Sequence, residues 1–202
     1  MLLSLSAMSD LEPLLAQAAA LHHHLCPRQV LGLRMGLYGG ELLGIAVPQS
    51  RRRLLTIVET DGCGADGVSV ATNCWVGQRT LRIVDYGKVA ATFIDTRTET
   101  AVRLAPHPLS RERALAAAPD RDNRWQGYLL GYQRLSNEEL FVYQAVALRA
   151  DLRRLISRAG WRATCAACGE EIINEREIAL NGRVLCRACA GEAYYDTVGS
   201  EQ

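Results

Sequence analysis

The residues with the most chemistry at the closest spacing are His22-His23-His24-Leu25-Cys26-Pro27, three imidazoles and a thiol within six positions of a 202-residue chain. Outside this run the chain has one further histidine, His107. Pro27 disfavours α conformation at Cys26, so a helix entering from Ser9 is predicted to stop there. A second helix can begin with Pro27 in its first turn, where the missing N–H costs nothing. Cys26 then stands at a helix N-terminus, where free amides and the positive end of the macrodipole favour thiolate over thiol. A softened thiol beside imidazoles makes either a metal site or a nucleophile.

A second thiol has the same setting. Asp61-Gly62-Cys63-Gly64 reads as a turn between a strand and a helix, which puts Cys63 near a helix N-terminus too. Cys26, Cys63 and Cys74 with His22 and His24 can supply a mixed nitrogen and sulfur site for Zn²⁺ or another transition metal. Cys74 follows Cys63 by eleven residues. If all of them were helical, the two Cα atoms would lie about 16 Å apart, too far for one ion. Either the helix is short and Cys74 folds back, or Cys74 belongs elsewhere, for example to a site shared across a dimer. Asp66 could orient a histidine from behind, or could simply be a capping or solvated acid. Lys88 is the only lysine, and could bind an anion or sit solvated in a turn. The bland alternative for the thiols is burial as small hydrophobes.

The C-terminal cysteines are more specific. Cys165-Ala-Ala-Cys168 and Cys186-Arg-Ala-Cys189 are two Cys-x2-Cys pairs with seventeen residues between them. Four thiolates at this spacing close a tetrahedral Zn²⁺ site with no open position, the structural type. Gly169 allows the knuckle turn, Glu170–Leu180 and Arg183–Leu185 can pair across Asn181-Gly182, and Arg187–Tyr195 can be helical. The expectation is a treble-clef-like zinc finger. Its arginines (Arg162, Arg176, Arg183, Arg187) are offset by Glu170, Glu171, Glu175, Glu177 and Glu192, a balance that argues against nucleic acid as partner.

These sites need elements to hold them. Ser9-x-x-Glu12 has capping-box spacing, and Leu11, Leu14, Leu15, Ala18 and Leu21 make one apolar helical stripe. From Val30 the pattern resumes, interleaved with Gly32, Gly36, Gly39 and Gly40, and should end near Pro48. So many glycines suggest close packing against a neighbour, another subunit included. Arg51-Arg52-Arg53 reads as a solvated loop and Leu54–Glu59 as a core strand. Leu81–Asp85, Val89–Asp95 and Thr100–Leu104 read as strands of an antiparallel meander, with Tyr86-Gly87-Lys88 as the first turn. Pro108–Ala118 looks helical, Asp120–Gln133 has a weak pattern, and Phe141–Leu148 fits strand or helix. The predicted fold is α+β: N-terminal helices packed on a mainly antiparallel sheet, with the core domain at 1–160 and the zinc finger at 161–202.

Composition bounds the rest. With 49% hydrophobic and 22% charged residues and a net charge of +1, the chain is an ordinary globular protein with no global pull toward nucleic acid or anionic lipid. Met1–Met8 lacks a basic region and meets Asp10 and Glu12 at once, so neither a secretory signal nor a membrane span is expected. A cytoplasmic location is expected, and seven cysteines then read as metal or redox ligands rather than a disulfide framework.

At these residues the sequence resembles the formylmethanofuran dehydrogenase E-subunit family, in its bacterial form with a C-terminal zinc finger. The motifs are His22-His-His24-Leu-Cys26-Pro27 with Val30-Leu31-Gly32-Leu-Arg34-Met-Gly36, then Val58-Glu59-Thr60-Asp61-Gly-Cys63-Gly-Ala-Asp66-Gly-Val68. Asn73-Cys74 with Gly77, Asp85-Tyr86-Gly87-Lys88-Val-Ala90 with Phe93, and Cys168-Gly169-Glu170 follow. The resemblance implies an α+β core whose His/Cys cluster forms a metal or active site, a mobile zinc-finger tail, a homodimer, and association with a molybdenum or tungsten oxidoreductase of one-carbon metabolism. Site roles carry over to His22, His24, Cys26, Cys63, Asp66, Cys74 and Lys88. Three departures stand out. His23 replaces a glycine between the histidines, Arg28 replaces a glycine after the proline and can narrow or cap the pocket, and Trp75-Val76-Gly77-Gln78 replaces a small hydroxyl and Gly-Lys.

Three functions follow. The first is a metal-binding accessory protein with a Cys26/Cys63/imidazole centre that binds a transition metal or handles sulfur for such an oxidoreductase. The second is a stand-alone enzyme with Cys26 or Cys63 as nucleophile and Lys88 as anion-binding cation. The third is a zinc-finger interaction or regulatory protein whose core cluster is only structural.

Overall fold

In the computed structural model residues 11–198 are described, so Ser9, the expected cap of the first helix, lies outside the described residues along with Met1–Met8. The chain divides into two units between Leu148 and Arg149.

In the first unit α1 (Leu11–His22) buries Leu11, Leu14 and Ala18, while Leu21 faces out. It ends before Cys26, which takes the extended conformation (φ −118°, ψ 158°) that Pro27 demands. The long α2 (Pro27–Leu43) then begins with Pro27 in its first turn and closes on Gly44 in the left-handed region, before Pro48 is reached. Strand β1 (Leu54–Val58) leads into α3 (Cys63–Thr72). After them come β2 (Leu81–Ile83), β3 (Ala91–Asp95), β4 (Ala101–Pro106), α4 (Ser110–Ala117), α5 (Arg124–Arg134), the single turn α6 (Asn137–Leu140) and β5 (Phe141–Val146).

The sheet order is β2-β1-β3-β4-β5, antiparallel except for the parallel β1/β2 pair. The expected meander is therefore corrected at its first step. β3 does not pair with β2, because β1 lies between them and takes β3 through Leu54–Asp95 to Val58–Ala91. Tyr86-Gly87-Lys88 is a bend at the sheet edge, where Tyr86 and Lys88 N–H groups donate to the Glu59 carbonyl. The arginine run is also not wholly solvated: Arg53 grips the buried Asp95 through Nε and a terminal nitrogen at 3.0 and 2.6 Å.

The glycines of α2 find their neighbour within the chain. A Cβ on Gly32 would stand 2.2 Å from the Gly64 carbonyl oxygen, and one on Gly67 2.3 Å from the Gln29 carbonyl oxygen. The backbones of α2 and α3 thus meet directly. On its other side α2 lays Gly39 against the fully buried Phe93 ring of the sheet. Arg34, also on α2, is buried and donates to the Tyr132, Gln133 and Leu135 carbonyls and to Asn137 Oδ1, tying down the C-terminal end of α5.

The second unit has a short helix α7 (Leu152–Ile156), the β6/β7 hairpin (Arg162–Thr164 with Glu171–Ile173) and the β8/β9 hairpin (Ile178–Leu180 with Arg183–Leu185). Asn181-Gly182 makes the second turn as expected, but the first strand of that hairpin is shorter than predicted because β7 pairs with β6 instead. The expected terminal helix shrinks to one wide turn, Ala188–Glu192, interrupted by Gly191 at φ +101°. Among the described residues no helix is long and apolar enough to cross a membrane.

Candidate metal and ligand site

The α1–α2 corner is held by one buried side chain. Gln29, on the first turn of α2, accepts from the Cys26 N–H at 2.9 Å and donates to the Ala18 carbonyl at 2.6 Å. Between the helices His23 takes φ +58°, a conformation open to glycine and only occasionally used by histidine. That is the physical reason a glycine suits this position. Beyond it the His24 ring meets the His22 carbonyl through Nδ1 at 2.8 Å, and its side chain is exposed.

Because α2 and α3 meet backbone to backbone, their first residues are brought together. Cys26 caps one and Cys63 opens the other, and both line one cleft. Burial, followed by the adjacent Cys26 thiol, pushes the Cys63 thiol above its ordinary value. The helix terminus alone predicts the opposite for Cys63; desolvation and the neighbouring sulfur outweigh it. One turn into α3, Asp66 Oδ2 meets His22 Nε2 at 2.6 Å.

Two predicted members stand elsewhere. Cys74 is fully buried in the core, with Sγ accepting from Gln49 Nε2 at 3.2 Å and facing the Leu54 carbonyl at 3.4 Å. The α3 helix ends at Thr72, with Asn73 left-handed after it, and the chain does not return to Cys63. Lys88 is exposed and does not line the cleft, to which its neighbour Val89 contributes instead. The geometry thus yields a close thiol pair with a His22–Asp66 pair beside it. Among the described residues only Cys165, Cys168, Cys186 and Cys189 bring three or more ligand atoms within 4.8 Å of one another.

The cleft has a volume of about 750 Å³. Cys26, Pro27, Arg28 and Leu31 of α2 and its cap, and Cys63 of α3, form one side. The other comes from residues that sequence reasoning passes over: His107, Ser110 and Arg111 at the start of α4, and Trp125, Tyr128 and Tyr132 of α5. The aromatic spacing of three and four residues on α5 is the available signal, since it puts all three rings on one helix face. Tyr128 and Tyr132 stack at 5.8 Å with 14° between their planes.

In the C-terminal unit the four thiols converge from the two knuckles. The Gly169 N–H donates to the Cys165 carbonyl, with Gly169 at φ +77°, and the Cys186 N–H points at Cys165 Sγ at 3.3 Å. Backbone N–H groups hold the Cys165 thiol down at about 6, while its crowding thiol neighbours push Cys189 up to about 12. A cation that takes all four sulfurs relieves that crowding. The closed four-sulfur set fits a structural Zn²⁺ and leaves no ligand position for chemistry.

Known proteins divide along the same line. Residues 21–142 match the family described as FmdE, molybdenum formylmethanofuran dehydrogenase operon. Residues 158–195 match the prokaryotic dksA/traR C4-type zinc finger. A probable S-adenosyl-L-methionine-binding protein of Archaeoglobus fulgidus is 30% identical over 217 residues, which cover 95% of this chain and 56% of the relative. The chain thus spans little more than half of that curated relative's length. The crystal structure of an FmdE-like protein of tungsten formylmethanofuran dehydrogenase type from Syntrophus aciditrophicus superposes with a TM-score of 0.59 at 20% identity. The superposition covers 91% of this chain and 94% of the other, and at that identity the likeness is one of fold.

Proposed function

The chain belongs to the FmdE family, and from that premise we propose that it is a metal-binding accessory protein whose Cys26/Cys63 pair binds a transition metal or handles sulfur for a molybdenum or tungsten oxidoreductase. The observation that carries this reading is the pairing of two thiols, from helix starts some forty residues apart, at the wall of a cleft. A two-sulfur site keeps open positions for incoming ligands, as catalytic and transfer sites do and structural sites do not. His22, held by Asp66 on the same helix as Cys63, does not converge with the two sulfurs in this structure, so the remaining ligands would come from the incoming partner or solvent. Support for the partner comes from the family description and from the tungsten enzyme after which the solved relative is named. The same proposal includes a homodimer, supported by Val142 and Tyr143, which leave apolar surface open on the outermost strand.

The nucleophile reading has less support. Burial and the Cys26 thiol work against a resting Cys63 thiolate, and Lys88 is not among the cleft's walls. Metal analysis of the purified chain decides. A metal equivalent beyond that of the finger, lost in Cys26→Ala and in Cys63→Ala, is the expected result. A chain that holds only the finger's zinc, unchanged by either substitution, overturns the proposal.

A further inference from the structure

The cleft beside the thiol pair is larger than a metal ion needs, and most of its wall is not metal-site wall. We infer that it binds a nucleotide-sized organic anion, a planar heteroaromatic ring carrying a phosphate. This goes beyond the metal reading and does not depend on it, because none of the residues it rests on is a thiol.

Size comes first. A volume of about 750 Å³ falls in the range of small-molecule sites, about 300–1,000 Å³. Charge comes second. Arg28 and Arg111 line the cleft, and among the described residues no Asp or Glu does. Elsewhere Arg53, Arg103, Arg134 and Arg162 each hold a carboxylate. Among the described residues neither Arg28 nor Arg111 is in an ion pair, and Arg111 bonds the Tyr132 side chain at the cleft wall. Both guanidinium forks therefore keep donors for a phosphate. Arg28 stands where the family pattern has a glycine, so this cation is a feature of this chain.

Donors come third. Ser110 is only 4% exposed, lines the cleft, and its hydroxyl bonds to no other described residue. His107 accepts the Leu109 N–H through Nδ1, so its neutral ring carries the proton on Nε2, a donor. The first turns of four helices, α2, α3, α4 and α5, all contribute to the lining, and their dipoles add positive potential to what the arginines supply. The ring has its own surface. Trp125 is half exposed at the cleft beside the stacked tyrosines, and such faces take a planar ring by stacking.

The test is calorimetric titration of the full chain as purified with adenosine 5′-monophosphate, adenosine and inorganic phosphate, with metal content read on the same samples. The expected result is saturable binding of the monophosphate, with adenosine and phosphate each at least about tenfold weaker, the loss of one charge-assisted contact. Arg28→Gln and Arg111→Gln should each weaken the monophosphate about tenfold and leave adenosine unchanged, whereas Trp125→Ala should weaken both the monophosphate and adenosine. Arg28 is exposed, so an unchanged melting temperature in Arg28→Gln confirms that the loss is one of binding. No monophosphate signal, or one no tighter than phosphate alone or indifferent to both arginines, overturns the inference. The metal content of those samples judges the metal reading separately.

Discussion

Apart from the lone, buried Cys74, the molecule groups its cysteines in two ways, and the contrast separates support from reactivity. In the C-terminal unit four sulfurs converge from two knuckles, every ligand position is filled from the chain, and little apolar core exists beyond Cys165, Ile172 and Leu185. In the core, two sulfurs meet because two helices touch through glycine, with a folded sheet behind them and a cleft in front. With so small a core, the first arrangement should need its ion in order to fold. The second is built by protein packing and leaves its two sulfurs on the wall of an open cleft.

The largest expected effect tests that difference directly. Structural zinc supplies apparent binding free energy of about 10–16 kcal/mol to small metal modules. Cys165→Ser, or stripping zinc with a strong chelator, should therefore unfold residues 149–198, seen as collapse of their amide dispersion in NMR spectra. Cys26→Ser should leave those signals in place. Equal damage from both would erase the distinction.

This distinction is legible in the sequence to very different degrees. The finger can be read at once because its ligands come from two local repeats whose spacing is itself the geometry. The break at Cys26-Pro27 is equally local. The meeting of Cys63 with Cys26 is suggested only by their matching positions at helix starts; what makes it physical is Gly32 on Gly64 and Gly67 on Gln29, contacts between segments far apart in the chain. The β2–β3 turn misleads for the same reason, since nothing near residues 81–95 says that β1 will lie between the strands. The opposite wall of the cleft is legible only in the spacing of Trp125, Tyr128 and Tyr132 on α5. His107 and Arg111 look like ordinary surface residues, and the 120–133 segment has a weak pattern because α5 buries little beyond Gly127, Gly131 and Tyr132 and gives other side chains to the cleft.

Next in size is Arg34. Burial lowers its guanidinium to about 10, and three carbonyls at the end of α5 and Asn137 Oδ1 of α6 depend on it. Arg34→Met leaves buried carbonyls unsatisfied and should cost about 3 kcal/mol in urea unfolding of the core. Ligand binding at the cleft should weaken too, because α5 carries Trp125, Tyr128 and Tyr132, while the zinc content stays the same. Gly67→Ala should cost less, about 2 kcal/mol, as an overpacked contact. Its Cβ meets the Gln29 carbonyl and the Leu33 amide, both backbone, so the helices must part. If the proposed core metal binds at the thiol pair, its content should fall although no ligand has changed. A Gly67→Ala chain with full metal content would show that the thiol pair does not depend on the glycine contact.

The smallest effect concerns acid, which should strike the two units by different routes. In the finger, protons compete with zinc for thiolates, so acid releases the ion. In the core the Arg53 guanidinium holds the Asp95 carboxyl well below the usual carboxylate range, against the opposing pull of its burial, with help from the Arg97 N–H and Thr98 hydroxyl. A carboxylate depressed in the folded state adds stability that is complete above its unfolded value, about 3.9, and is lost as pH falls through that value toward the folded one. Asp95→Asn should therefore destabilise the core by about 1 kcal/mol at neutral pH, with the gap to the unsubstituted chain narrowing below about pH 4. Urea melts at neutral and acid pH measure the gap, and a chromogenic chelator follows zinc in the same samples. The substitution should leave the pH of zinc release where it was. If that midpoint moved with Asp95, acid would be acting on both units through one group.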